Sequence, residues 1–562
     1  MSYFRWLVVT TCWCLMPSIF LGQQLNANDS AAAKEAMKTI RPEAIRAHMR
    51  FLSDSLLQGR APGTPGYDIA ARFVASEMEA MGLRSAGANG TWFQPIAFRK
   101  AILDGAKSSV ILSANNKEVR LADAKDYVIN GDVLREQSNV EAPTVFVGFG
   151  ITAPEEKYDD YAGVDVRGKV IVQIYGAPAR FPSTVRAYYS DGIVKARNAV
   201  AHGAVGVLSI MMPEDEKRYP WEWIVPQIQM GDMHWLDHNG TPHDTFPELR
   251  AGVLLSQHGM EALFTGAPKT PEQIFAVART GQPQAFPLAF TARIHSVSKQ
   301  EAVHSSNIIG ELVGSEPQLR DQYVVYTAHV DHLGVCPAVQ GDNVCHGTLD
   351  NASGTSSLLE IARAYTHLSR PPRRSVLFLF VTGEELGLLG SDYFAHFPTV
   401  PLRKIVANVN IDGAPGMFYA MKDVVPLGIE HSSLDKNVET AAREMGYEIS
   451  PDPMPEEVAF IRSDQYSFVL KGVPAVDIVD GIKSTDPQVN GLEVIKKWLT
   501  TRYHTPLDNM DQPINYESAA KASGLNFLVG YEVAQQDEPP TWNPGDFFGA
   551  KFGKNHGTRE TQ

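Results

Sequence analysis

Cysteine is nearly absent, with four in 562 residues. That scarcity excludes a disulfide-built scaffold, which needs a far denser set. Cys12 and Cys14 sit in an N-terminal apolar stretch, so only Cys336 and Cys345 serve the rest of the chain. Their spacing is too long for a zinc knuckle. Positive charge is in deficit: Lys and Arg total 50 against 64 Asp and Glu, a net charge of −14. An acidic surface argues against nucleic acid or anionic membrane as partner. Beyond the N-terminus no apolar run is long enough to cross a bilayer. Internal repeats and long low-complexity tracts are also missing, which excludes a solenoid.

What is present begins with an export signature. Arg5 is the sole charge in residues 1–28, Trp6 to Phe20 is apolar, and small and polar residues follow from Gly22. This is the build of a secretory signal, and the apolar part is short for a membrane span. Cleavage is expected between Gly22 and Ala27, with delivery to the periplasm or the exterior. In an oxidising compartment Cys336 and Cys345 are expected to pair, and a loop that short contributes roughly 2–3 kcal/mol.

The length suggests two or three domains, and a 44% apolar fraction allows a real core. Residues 31–130 read as helices and short strands belonging to the main domain. A Gly/Pro-rich loop, Gln58 to Gly66, interrupts the helical part. Residues 131–285 read as an inserted smaller α/β domain, with an irregular section from Pro213 to Pro247. Residues 286–536 alternate strand and helix. Strands are predicted at 323–327, 376–382, 404–411 and 475–479. Helices are predicted at 355–368, 434–445, 464–469 and 518–534. Such alternation implies an α/β fold with a mostly parallel mixed sheet and helices on both faces. Residues 537–562, polar and rich in Gly and Pro, are expected to form a flexible tail.

The chemistry gathers at strand ends. The apolar run Ser375 to Thr382 ends in Gly383-Glu384-Glu385. Two adjacent carboxylates at a sheet rim are costly unless cations or donors meet them. One can hold a metal while the other takes the proton of a water whose pKa bound zinc lowers. The plain alternative is a solvated pair at a helix start. His329 and Asp331 follow another strand and point to one side, so the carboxylate can orient the imidazole. Asp350 precedes a helix and reads either as an N-cap or as a carboxylate shared by two metals. Asp412 ends a further strand, and His504 lies in a turn. Singly each is weak. Together they are the residue set of a two-zinc hydrolase, placed where open α/β sheets put their ligands.

The motifs Ala328-His329-Val330-Asp331-His332, Asp350-Asn351-Ala352-Ser353-Gly354, Gly383-Glu384-Glu385-Leu386-Gly387, Asn410-Ile411-Asp412 and Tyr503-His504-Thr505-Pro506 resemble the M28 family of zinc peptidases. The stretch Gly168 to Ile210 resembles a protease-associated domain. The resemblance implies two zinc ions per chain. His329 and Asp412 would hold one, Glu385 and His504 the other, and Asp350 would bridge. It implies Glu384 as general acid/base, Asp331 orienting His329, and Tyr503 near the developing oxyanion. Gly413 and the Ser463-Asp464-Gln465-Tyr466 segment depart from the usual family pattern, which bears on specificity rather than chemistry. The expected activity is removal of N-terminal residues from peptides with a free N-terminus. A carboxypeptidase of the glutamate carboxypeptidase type, with Arg462 clamping a C-terminal carboxylate, is the enzymatic alternative. A receptor that has lost catalysis is the non-enzymatic one.

Overall fold

The computed structural model of the chain describes residues 25–281, 284–413 and 415–554. The expected signal segment lies almost wholly outside them. The main sheet is built from β1 (Phe93–Leu103), β2 (Asp232–Trp235), β3 (Phe286–Leu312), β4 (Tyr323–His329), β5 (Ser375–Val381), β6 (Ile405–Asn410), β7 (Asp423–Leu427) and β8 (Ala475–Asp480). Its order is β7-β8-β6-β4-β5-β3-β1-β2. The four strands β8, β6, β4 and β5 run parallel, and the flanking pairs are antiparallel.

Both faces of the parallel strands are covered, which is why they read as unbroken apolar runs. Every residue of β5 is buried. Alternate side chains serve different cores: Phe378 and Phe380 join one cluster, and Leu377, Leu379 and Val381 join the other. Helices α2 (Ser353–Thr366) and α5 (Tyr516–Gln535) cover the first face, and α3 (Leu389–His396) and α4 (Gln465–Leu470) cover the second. α1 (Trp221–Gln229) lies earlier in the chain.

A second sheet holds residues 109–114, 117–120, 127–129, 137–146, 170–174, 206–210 and 252–255. The first part of β3 joins it through Thr291 to Val297, and the second part of β3 lies in the main sheet. One long strand therefore carries backbone pairing from one sheet to the other. The second sheet takes in residues 109–129, so the expected division at 130/131 runs through it. The pairing of 109–114 with β3 is nonlocal, and no local signal marks it.

Two further expectations need correction. Pro213 to Pro247 is not irregular: it holds a short helix at Pro213–Arg218, α1 and β2, and β2 extends the main sheet beside β1. Residues 537–554 are not a flexible tail. Trp542 Nε1 donates to the Gly472 carbonyl at 2.9 Å, His431 Nδ1 donates to Asp546 at 2.6 Å, and Phe548 is fully buried. The aromatic residues 542, 547, 548 and 552 supply an apolar face that the overall polarity of the segment hides. Cys336 and Cys345 are bonded across a small two-stranded ladder.

Candidate metal centre

The site lies at the carboxyl ends of the parallel strands. His329 is the last residue of β4 and is fully buried. Glu384 and Glu385 form a tight turn after β5, entered through Gly383 at φ 72°. Asp412 follows β6. Asp350 sits in the connection before α2, next to a cis peptide to Asn351. It does not cap α2. Asp508 grips that connection instead, its carboxylate accepting from the N–H groups of Leu349 at 3.0 Å and Asp350 at 3.1 Å. Gly354 is required beside it, since a Cβ there would stand 2.2 Å from the Ile411 carbonyl. His504 arrives from the turn after Gly491–Thr501.

These elements bring the five predicted ligands together. Asp350 uses both oxygens. One stands 3.3 Å from His329 Nε2 and the other 3.2 Å from His504 Nε2. His329 Nε2 is also 3.6 Å from Asp412, and His504 Nε2 is 3.0 Å from Glu385. Glu384 points inward, its oxygen 3.9 Å from His329 Nε2. The Nε2 atoms of His329, His332 and His504 are buried without a hydrogen-bond partner among the described residues.

The electrostatics are lopsided. Burial alone would lower His504, yet Glu385 and Asp350 outweigh it and lift the imidazole to about 10. Burial pushes Glu384 well above the usual carboxylate range, and the charges of Asp412 and Glu385 add to the push. Asp464, buried behind them, rises to about 7, mainly by desolvation. Carboxylates outnumber the cations that face them, and the imidazole nitrogens aim at oxygens without hydrogen-bond geometry. A divalent cation fits both facts. The N/O donor set suits zinc.

Supporting contacts fix the ligands. His329 Nδ1 donates to the backbone carbonyl of Asp331 at 3.2 Å, whereas the Asp331 carboxylate is 3.9 Å away. Asp331 therefore positions His329 chiefly through its main chain. Its carboxylate accepts from the Glu384 N–H at 3.3 Å. Ser463 Oγ donates to Asp412 at 2.7 Å. Tyr503 stacks on His504, with ring centroids 3.7 Å apart, and burial lifts its phenol well above the usual value.

Three contributors escaped the sequence reading. His332 Nδ1 donates to Glu385, closing the space behind the second imidazole. Its place in the motif beside His329 was the available signal. Arg60 is buried beneath the site and donates to the carbonyls of Leu52, Val330, His346 and Gly347. Desolvation lowers it to about 10 against the pull of Asp331, Asp508 and other acids. Gln227 of α1 meets His504 Nδ1 at 3.3 Å. Nothing local marks that contact, because α1 lies 277 positions earlier in the chain.

Residues 307–528 match the model of Peptidase family M28. All five candidate ligands and Glu384 fall inside the matched stretch, whereas Arg60 and Gln227 lie outside it. Among curated relatives, Aminopeptidase NAALADL1 of Rattus norvegicus is 25% identical over 317 residues, covering 48% of this chain and 38% of the relative. A Glutamate carboxypeptidase 2 homolog of Caenorhabditis elegans is 24% identical over 435 residues, covering 66% of this chain and 51% of the relative. The chain thus spans about half or less of each of these relatives. Among solved structures, the aminopeptidase from Aneurinibacillus sp. strain AM-1 superposes with a TM-score of 0.53 at 20% identity, over 90% of this chain and 97% of the other. That likeness establishes the fold: the chain shares its α/β architecture with this aminopeptidase.

Proposed function

We propose that the protein is an exported aminopeptidase that holds two zinc ions and removes N-terminal residues from peptides. The observation that carries this reading is the placement of Asp350, one oxygen toward His329 and the other toward His504. His329 and Asp412 would hold one ion, His504 and Glu385 the other, and Asp350 would join them. Zinc bound there supplies Lewis-acid polarisation of a carbonyl and a lowered pKa for water. The residues do the rest. Glu384, half-buried and free of a strong partner, takes a proton from the attacking water and returns it to the departing amine. Tyr503 keeps its phenol proton and offers it toward negative charge that develops on the substrate oxygen. Asp331 holds His329 in the tautomer that leaves Nε2 open.

The carboxypeptidase reading needs a cation free to clamp a terminal carboxylate. Arg462 is 3.7 Å from Glu457, which Arg218 and Tyr219 also engage at 3.1 and 2.6 Å. A cation already facing a carboxylate is a poor clamp, and this favours the aminopeptidase. Export is supported by the Arg5 to Gly22 pattern and the Cys336–Cys345 bond, and no described helix is long and apolar enough to cross a membrane. The second sheet is read as the protease-associated unit. Peptides blocked at either end test the reading. Turnover that requires a free N-terminus is expected, and turnover that requires a free C-terminus would replace it with the carboxypeptidase.

A further inference from the structure

A second group of ligating side chains stands where the Asp232–His243 hairpin meets α3. We propose that His243, Asp392 and His396 bind a zinc ion that clips this hairpin to α3. Their ligand atoms lie within 4.8 Å of one another. Asp392 and His396 are four apart on α3 and share one helix face. His243 approaches from the opposite side, held at the foot of the hairpin by its backbone N–H, which donates to the Trp235 carbonyl at 2.9 Å.

The spacing is that of ligands around an ion. His243 Nε2 is 3.6 Å from a carboxylate oxygen of Asp392 and 3.6 Å from one of Asp244, too far for hydrogen bonds. A tetrahedral zinc with bonds of about 2.0–2.2 Å keeps its ligand atoms about 3.3–3.6 Å apart. His329 stands at 3.3 and 3.6 Å from its own carboxylates in the main site.

The surroundings are arranged for ligation as well. His396 Nδ1 donates to the Asp392 backbone carbonyl at 2.8 Å, with the Asp392 carboxylate 3.3 Å from the same nitrogen, which fixes the ring and leaves the lone pair on Nε2. Ligating imidazoles use that arrangement. Trp235 Nε1 donates to the Asp392 carboxylate at 2.8 Å, and its ring stacks on His243 at 4.0 Å. The three ligands are partly exposed, so solvent can fill the last position. Asp392 and Asp244 together balance the charge of a divalent ion. The clip has a structural consequence. The hairpin begins just after α1, which carries Gln227 to His504, and α3 follows the turn of Glu384 and Glu385. Metal at this point ties the two together.

Zinc content of the full-length protein after loading and dialysis tests the site. A His243→Ala/His396→Ala variant is expected to retain about one zinc fewer per chain than the wild type. A His504→Ala variant lowers metal at the main site independently, so the difference produced by the double variant persists in that background. Zinc added to the metal-stripped wild type is expected to raise Tm more than in the double variant. Equal zinc content and equal Tm response in a folded double variant would overturn the proposal. If that variant does not fold, His243→Gln retains the hydrogen-bonding bulk without the imidazole, and an unchanged zinc content there overturns it equally.

Discussion

At the scale of single residues the site turns on Glu384. Its oxygen stands 3.9 Å from His329 Nε2, farther than Asp350 and Glu385 at 3.0–3.3 Å or Asp412 at 3.6 Å stand from their imidazoles. Glu384→Gln is expected to keep bound zinc and to lower kcat by about 10²–10⁴-fold, the usual worth of general acid/base help. Retained turnover with full metal content would remove Glu384 from the mechanism. Gln227 acts differently. Gln227 places its amide Nε2 3.3 Å from His504 Nδ1; with Nε2 of His504 turned toward carboxylates, Nδ1 carries the proton, so the amide has to turn its oxygen to that nitrogen to accept it. Gln227→Leu is expected to speed zinc loss to a competing chelator by about 10-fold, and Gln227→Glu to restore retention, as partners of metal-binding imidazoles do.

At the scale of elements, strand ends decide the ligand positions. The apolar runs at 323–329, 375–381 and 405–410 are legible in the sequence because burial on both faces demands them, and the candidate ligands His329, Glu385 and Asp412 stand at or just beyond their ends. Helix 434–445 is legible for a similar reason: apolar residues at helical spacing and Gly446 as its stop. The segment 213–235 was not legible. Trp221–Gln229 carries Pro226 and buries no residue fully, so helical periodicity had little to act on. The 537–554 segment failed because composition averages over spacing. The Cys336–Cys345 bond belongs to this scale as well. A Cys336→Ser/Cys345→Ser variant is expected to lose roughly 2–3 kcal/mol in denaturant unfolding. An unchanged midpoint would show that the ladder holds without its crosslink.

At the scale of the whole molecule, stability depends on buried groups far from the site. Glu532 on α5 is 6% exposed, and burial lifts it from 4.5 to about 8. The folded state then holds a proton that the unfolded chain releases. Stability from this position is therefore complete below about 4.5 and falls as pH rises toward about 8. Glu532→Gln is expected to raise stability at pH 8 by at least about 1 kcal/mol and to change it little at pH 4.5. Thermal unfolding of both proteins across that interval checks the slope. A parallel pair of curves would mean that solvent reaches the carboxylate.

The amino-acid sequence alone determined the kinds of group and their order along the chain. Apolar strands with His329, Glu384, Glu385 and Asp412 at their ends follow from local pattern, because a buried parallel strand has to be apolar and its end has to be where polarity returns. Only the tertiary structure decided which of these groups face one another. Asp350 meets His329 and His504, and Gln227 meets His504, across 277 positions in the last case. Such contacts depend on how elements pack in space, and no periodicity of a single segment encodes that.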